Sequence, residues 1–209
     1  MKLYIPFNMV VDTDFGIIRI IEKLYKIPEY PVDKIKSFLL KREIENPVYE
    51  YCELRNIEYD QYLYEEIIEK HYDTVLKLSC LTDILSFIIN TYKLGLSNEV
   101  EITVGCNYDS EIKFLKQILS ASKYSVNSKL NTDIKLNDFD YIFTRCLDEF
   151  YVEYLIDNGI NGKRLYVADY RFNTIIDEES KSVIINPLLH IKLESEGIIV
   201  STISIYNKK

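Results

Sequence analysis

Asn8-Met9-Val10-Val11-Asp12-Thr13-Asp14-Phe15-Gly16 is the stretch on which the fold turns. A short apolar run, Asn8 to Val11, stops at a polar loop, and a run bounded in this way reads as a buried strand. The next segment has helical spacing. Ile17 to about Lys26 opens a long region interrupted at Pro28, Pro31 and Pro47. Its best helix is predicted over Asp60 to Leu78, where Leu63, Ile67 and Val75 join Tyr64, Ile68, Tyr72 and Leu76 in one apolar stripe. Leu81, Leu85, Ile88, Ile89 and Tyr92 form a second stripe that ends near Gly95, so residues 17 to 96 read as a helical bundle.

Beyond Asn98 the period changes. Val100 to Val104 is strand-like, and Asn107-Tyr108-Asp109-Ser110 suits the cap of a helix with Ile112, Leu115, Ile118 and Leu119 on its inner face. Phe139 to Thr144, Leu165 to Ala168 and Val183 to Asn186 read as further strands, with a helix through Phe150 to Ile156 that ends at Asn158-Gly159. Gly197 to Tyr206, rich in β-branched residues, reads as an edge strand or hairpin. Strands alternating with helices of this length predict an α/β protein with a parallel sheet covered on both faces.

The composition narrows the function classes. With 209 residues, 47% of them hydrophobic, the chain suits one globular unit or a core domain carrying a smaller insert. A net charge of −8 without blocks of Lys or Arg supplies no basic footprint, which excludes duplex nucleic acid and anionic membrane as main partners. A local pocket for a small anion stays open. Cys52, Cys80, Cys106 and Cys146 form no C-x-x-C pair, which suits a reduced, cytoplasmic setting. The N-terminus is interrupted by Pro6 and Asn8 before a secretory apolar region develops, and no run approaches the roughly 18 apolar residues of a membrane span. Abundant Tyr, Ile, Lys and Asn beside an absence of Trp fit the codon bias of an AT-rich bacterial or phage genome.

In an open parallel sheet the ligand crevice lies beyond the carboxyl ends of the strands. The polar residues expected there are Asp12 and Asp14, then Gly105, Cys106 and Asn107, then Thr144 and Arg145, then Asp169, Arg171 and Asn173. Asp12 and Asp14, joined by a carboxylate from a neighbouring strand, would make an oxygen-rich site for Mg²⁺. Each has a plainer reading. Asp12 and Asp14 also suit helix caps, Asp169 an ion pair with Arg171, and Cys106 a buried thiol with no His nearby. His71 lies on an apolar stripe and His190 has no partner at metal-ligand spacing. Tyr59, Tyr62, Tyr64 and Tyr72 read as core or interface, with base stacking as the alternative, and Asp177-Glu178-Glu179 as a solvated loop.

Asn8-Met9-Val10-Val11-Asp12-Thr13-Asp14 resembles the first motif, an apolar strand ending D-x-D, of the haloacid dehalogenase (HAD-like) phosphatases, particularly the 5′-nucleotidase-like members. Leu165-Tyr166-Val167-Ala168-Asp169-Tyr170-Arg171-Phe172-Asn173 resembles their acidic fourth motif. The resemblance implies a Rossmann-like, HAD-like core of residues 1–16 and 97–209 and an inserted helical cap of residues 17–96. It also implies Mg²⁺-dependent hydrolysis of a small phosphorylated molecule such as a nucleotide. Asp12 would be the nucleophile that forms an aspartyl-phosphate, Asp14 the general acid and base, and Asp169 a metal ligand beside Asp12 and Asp14. Gly105, Cys106 and Asn107 would line the substrate side, and Arg145 would supply the cationic charge.

Several positions depart from that pattern. Gly105 or Cys106 stands where the family has Ser or Thr, and Leu147, Asp148 and Glu149 stand where it has Lys. Ala168 replaces the first paired acid, and Phe15 replaces the small residue usual after D-x-D. These departures imply an alternative, a HAD-like binding or structural protein without catalysis, for instance a phage assembly or host-interaction factor with a protein partner. Asp12-Thr13-Asp14-Phe15-Gly16-Ile17 is also similar to the D-T-D-x-G opening of nucleoside hydrolases, although Ile18 and Arg19 occupy the places of their further aspartates.

Overall fold

Consecutive buried residues in a strand mean that both of its faces are covered, and the first strand of the chain to show this is Lys2–Pro6 (β1), with Leu3, Tyr4 and Ile5 all buried. In a computed structural model, residues 1–39, 47–82, 84–85, 100–120, 126–144, 149–157, 164–167 and 199–202 are described. They fall into two compact units, one made of Met1–Val10 with the described residues from Ile84 onward, the other of Val11–Thr82. Among the described residues the division falls after Val10 and after Thr82.

The first unit is an α/β sheet. After β1 the chain makes one helical turn, Phe7–Val10 (α1), and leaves for the second unit. It returns as Glu101–Cys106 (β4), the helix Asp109–Leu119 (α6), Val126–Leu130 (β5), Tyr141–Thr144 (β6), the helix Glu149–Asp157 (α7), Arg164–Val167 (β7) and Ile199–Thr202 (β8). The six strands lie in the order β5-β4-β1-β6-β7-β8, and every pairing is parallel. This is the order of an open, doubly wound sheet, in which successive strands first move one way from β1 and then the other. The direction reverses between β1 and β6, which fixes the switch point of the sheet. Its core is formed by Leu3, Ile5, Ile102, Val104, Ile142 and Phe143 from the strands, with Leu115 from α6 and Leu155 from α7.

The first core strand is therefore Lys2–Pro6 and not Asn8–Val11. The apolar run spends its burial as a turn of helix, with Phe7, Met9 and Val10 inside and Asn8 exposed. A four-residue apolar run does not distinguish strand from helix. Pro6 does not break β1 because it is the last residue of the strand, where a missing N–H costs least.

The second unit is helical. Val11–Asp12 (β2) pairs antiparallel with Cys80–Leu81 (β3), and between them lie Thr13–Leu24 (α2), Val32–Leu39 (α3), Pro47–Leu54 (α4) and Gln61–Leu78 (α5). Eight of the twelve residues of α2 are buried, so it is the central helix of this unit. Phe15, Ile18 and Ile21 pack there with Val48 and Cys52 of α4 and Ile67 and Val75 of α5. The long helix predicted over Asp60 to Leu78 is present as Gln61–Leu78, and Asp60 caps it: its Oδ1 accepts from Leu63 N–H at 2.8 Å. Tyr59 and Tyr72 pack against the core, whereas Tyr62 stands out 81% exposed and Tyr64 39%. His71 is half-buried. Among the described residues no helix is long and apolar enough to cross a membrane.

Candidate functional site

The carboxyl ends of β1, β4 and β5 come together in the first unit, and the side chains hydrogen-bonded to one another there are neutral. β1 ends in Pro6, followed by Phe7 and Asn8, so the strand at the switch point carries no carboxylate into its following turn. Tyr4, buried in β1, donates its phenol hydrogen to Asn131 Oδ1 at 3.0 Å. Asn131 follows β5 directly, and its Nδ2 donates to Asn107 Oδ1 at 2.8 Å. Beneath this chain of bonds sits Gly105. A Cβ there would strike Asn131 Oδ1 and lie 2.5 Å from Tyr4 Cε2 and 2.7 Å from the Tyr4 hydroxyl, so the absence of a side chain is what lets the chain of bonds lie on the strand.

The loop between β4 and α6 is closed by a buried carboxylate. Glu111, 2% exposed, accepts from Asn107 N–H at 2.6 Å and from Tyr108 N–H at 3.4 Å, while its own N–H donates to Tyr108 O at 3.1 Å. This is the arrangement of a capping box, in which the third helical residue turns back on the free N–H groups of the first turn. The N–H groups of Asn107 and Tyr108 are thus bound to the chain's own negative charge.

Gly105, Cys106 and Asn107 do lie at a strand end, as expected, but with distinct roles. Only Asn107 offers a side chain to solvent. Cys106 is fully buried, and its thiol is pushed up to about 12 by burial first and then by the Glu111 charge, so it is a packed group and not a nucleophile. Cys52 in the helical unit is pushed up to about 11 by burial. Because both folded thiols stay protonated where unfolded thiols ionise, the stability they contribute is complete below pH about 9 and drains as the pH rises toward 11 and 12. The urea midpoint is therefore expected to fall above pH about 9, and to fall less in the Cys52→Ala/Cys106→Ala double variant. An equal fall in both proteins would contradict the burial of these thiols.

Asp12 and Asp14 are in the helical unit. Asp12 ends β2 and occupies the N-cap position of α2, buried at 8% exposure, with no capping hydrogen bond from its side chain. Asp14 lies in the first turn of α2, where its charge favours the helix dipole. Its field reaches Tyr59 of the same unit, whose phenol is raised by burial, then by Tyr64, Cys52 and Asp14. Two residues apart, Asp12 closes a strand and Asp14 opens a helix. Among the described residues no three His, Cys, Asp or Glu side chains are grouped to hold a metal ion. Arg145, Asp169, Arg171, Asn173 and His190 lie outside the described residues, as do most of the second apolar stripe and Val183 to Asn186.

Tyr4, Glu111 and Asn131 were not singled out from sequence. Glu111 had a signal, since a Glu three residues after a loop that caps a helix marks a capping box. Tyr4 and Asn131 had none, because neither β1 nor β5 had been recognised as a strand. The fold and these strand ends define an open, parallel α/β protein with a helical insertion after its first strand. No protein-family model matches the chain, and no curated protein or solved structure does.

Proposed function

We propose that the chain is a HAD-like α/β protein that binds its ligand or partner without hydrolysing it. The observation that carries this reading is the end of β1, where Pro6-Phe7-Asn8 stands in place of the strand-end D-x-D on which the aspartyl-phosphate mechanism depends. A phosphoryl group carries charge into its transition state and has to be met by cations or free N–H groups. The groups hydrogen-bonded to one another at the ends of β4 and β5 are two carboxamides and a phenol, and Glu111 turns its carboxylate onto the start of the nearest helix.

A second reading, a Mg²⁺-dependent phosphomonoesterase acting through Asp12, is favoured by one observation: Asp12 is buried at the junction of β2 and α2, where a carboxylate is held away from water. In that reading Asp12 attacks phosphorus and the alcohol leaves with a proton from Asp14.

One assay separates the two. The full chain, with Mg²⁺, is offered an aryl phosphate and a panel of nucleotides beside the Asp12→Asn variant. The expected result is no phosphate release that depends on Asp12; a loss of turnover of about a thousandfold in the variant would establish the second reading instead.

A further inference from the structure

The carboxamides at the ends of β4 and β5 have hydrogen-bonding capacity that the fold does not use. Asn107 Oδ1 accepts from Asn131, but its Nδ2 has no partner among the described residues. Asn131 Nδ2 donates one hydrogen to Asn107 and keeps the other, and its Oδ1 accepts from Tyr4 and keeps a second lone pair. Asn107 is exposed and Asn131 half-buried, so both reach solvent from the crevice end of the sheet. The pair is held in register by the Tyr4 hydroxyl below and by the backbone of Asn107, which Glu111 anchors. Two oriented amides with donors and acceptors left over match a ligand edge that itself alternates donors and acceptors, as a nucleobase does.

Charge then sorts the ligands of that kind. Glu111 is buried against the same loop and Asp109 lies in the same helical turn, while no Lys or Arg takes part in the hydrogen-bonded cluster. An anionic group brought to this loop meets two carboxylates and finds the Asn107 and Tyr108 N–H groups taken by one of them, so a phosphate is repelled where a neutral ring is not. Tyr108, the residue after Asn107, keeps 49% of its surface exposed, so a ring of the kind that stacks on flat heterocycles adjoins the amides in sequence.

We propose that Asn107 and Asn131 bind the base of an unphosphorylated nucleoside, with Tyr4 as the positioning residue that sets the Asn131 amide. The inference rests on the non-hydrolytic reading and gives that protein a ligand class. Its test is titration of the full chain with the four common nucleosides, their 5′-monophosphates and free ribose, followed by ligand-observed NMR and calorimetry. At least one nucleoside is expected to bind, its monophosphate about tenfold or more weakly, and ribose not at all. Asn107→Ala and Asn131→Ala should each weaken binding about fivefold to tenfold. Tyr4→Phe, which removes only a hydroxyl, should weaken it less than Asn131→Ala and leave the preference for nucleoside over monophosphate intact.

The inference is overturned if no nucleoside binds, if ribose accounts for the signal, if the monophosphate binds as tightly, or if both asparagine variants retain the melting temperature and affinity of the wild type. Hydrolysis of the same monophosphates is followed in parallel, so the two claims fail separately. Phosphate release abolished by Asp12→Asn overturns the non-hydrolytic reading. Absence of both binding and hydrolysis overturns the nucleoside assignment alone.

Discussion

Glu22→Ala is expected to cost about 3–5 kcal/mol of folding stability, because it strands a buried charge. Glu22 is 1% exposed and Arg19, one helical turn earlier on α2, 6%. The carboxylate is fully occupied: Oε2 accepts from Arg19 Nη1 at 2.6 Å, and Oε1 accepts both from Tyr30 N–H and from the Tyr51 hydroxyl at 2.7 Å. The guanidinium also lies over the Phe15 ring, 5.2 Å from its centre. Tyr51 stays a donor throughout, since burial first and the bond to Glu22 next raise its phenol well above the usual range. One carboxylate thereby joins α2, the loop before α3, and α4. Intact, such a pair contributes little beyond an apolar substitute; broken, it leaves a buried guanidinium whose remaining carboxylate, Glu29, is 4.0 Å away. Adding Arg19→Met to Glu22→Ala should therefore recover about 1–2 kcal/mol in urea melts. A double variant no more stable than Glu22→Ala alone would show that Arg19 finds water when its partner is removed.

Arg19 and Glu22 also show which part of the fold was legible beforehand. Hydrophobic spacing identifies α5, because Ile67, Val75 and Leu76 recur on one face and Asp60 marks the start. The same spacing places α2 but says nothing of a charged pair turned inward among its isoleucines. Strands β4, β6 and β7 are legible as apolar runs between helices. β5 is not, since it is an edge strand whose residues alternate between half-buried and exposed, and Val126-Asn127-Ser128-Lys129-Leu130 carries no apolar run. The loss of β5 hid Asn131. The loss of β1 hid Tyr4 and moved the first strand end onto Asp12. The D-x-D of Asp12 and Asp14 therefore lies one segment beyond the end of β1, whereas Gly105 and Asn107 stand at the end of β4. What remained invisible was the pairing of residues far apart in sequence, which no local pattern encodes.

Gly16→Ala is the second large effect expected, a net loss of about 1–2 kcal/mol with a larger loss for Gly16→Val. A methyl group in a helix ordinarily stabilises it by about 0.5–1 kcal/mol relative to glycine, so the sign depends on what the new carbon meets. At Gly16 it meets the Val75 carbonyl oxygen of α5 head on, and Ser79 Oγ at 2.6 Å. Ser79 Oγ is itself tied to the Val75 carbonyl at 2.7 Å, so neither atom swings aside as a flexible side chain would. The helices have to separate, which loosens the packing of Phe15 and Ile18 on α2 against Ile67 and Val75 on α5. Adding Ser79→Ala removes one of the two obstructing atoms and leaves the carbonyl, so thermal melts should show partial rescue only. A Gly16→Ala protein more stable than the wild type would mean that α2 and α5 do not approach this closely. The glycine of Asp12-Thr13-Asp14-Phe15-Gly16 thus has a cause within the helical unit itself. The part of the chain that looks most like a catalytic opening is built, at this residue, by the contact of two helices.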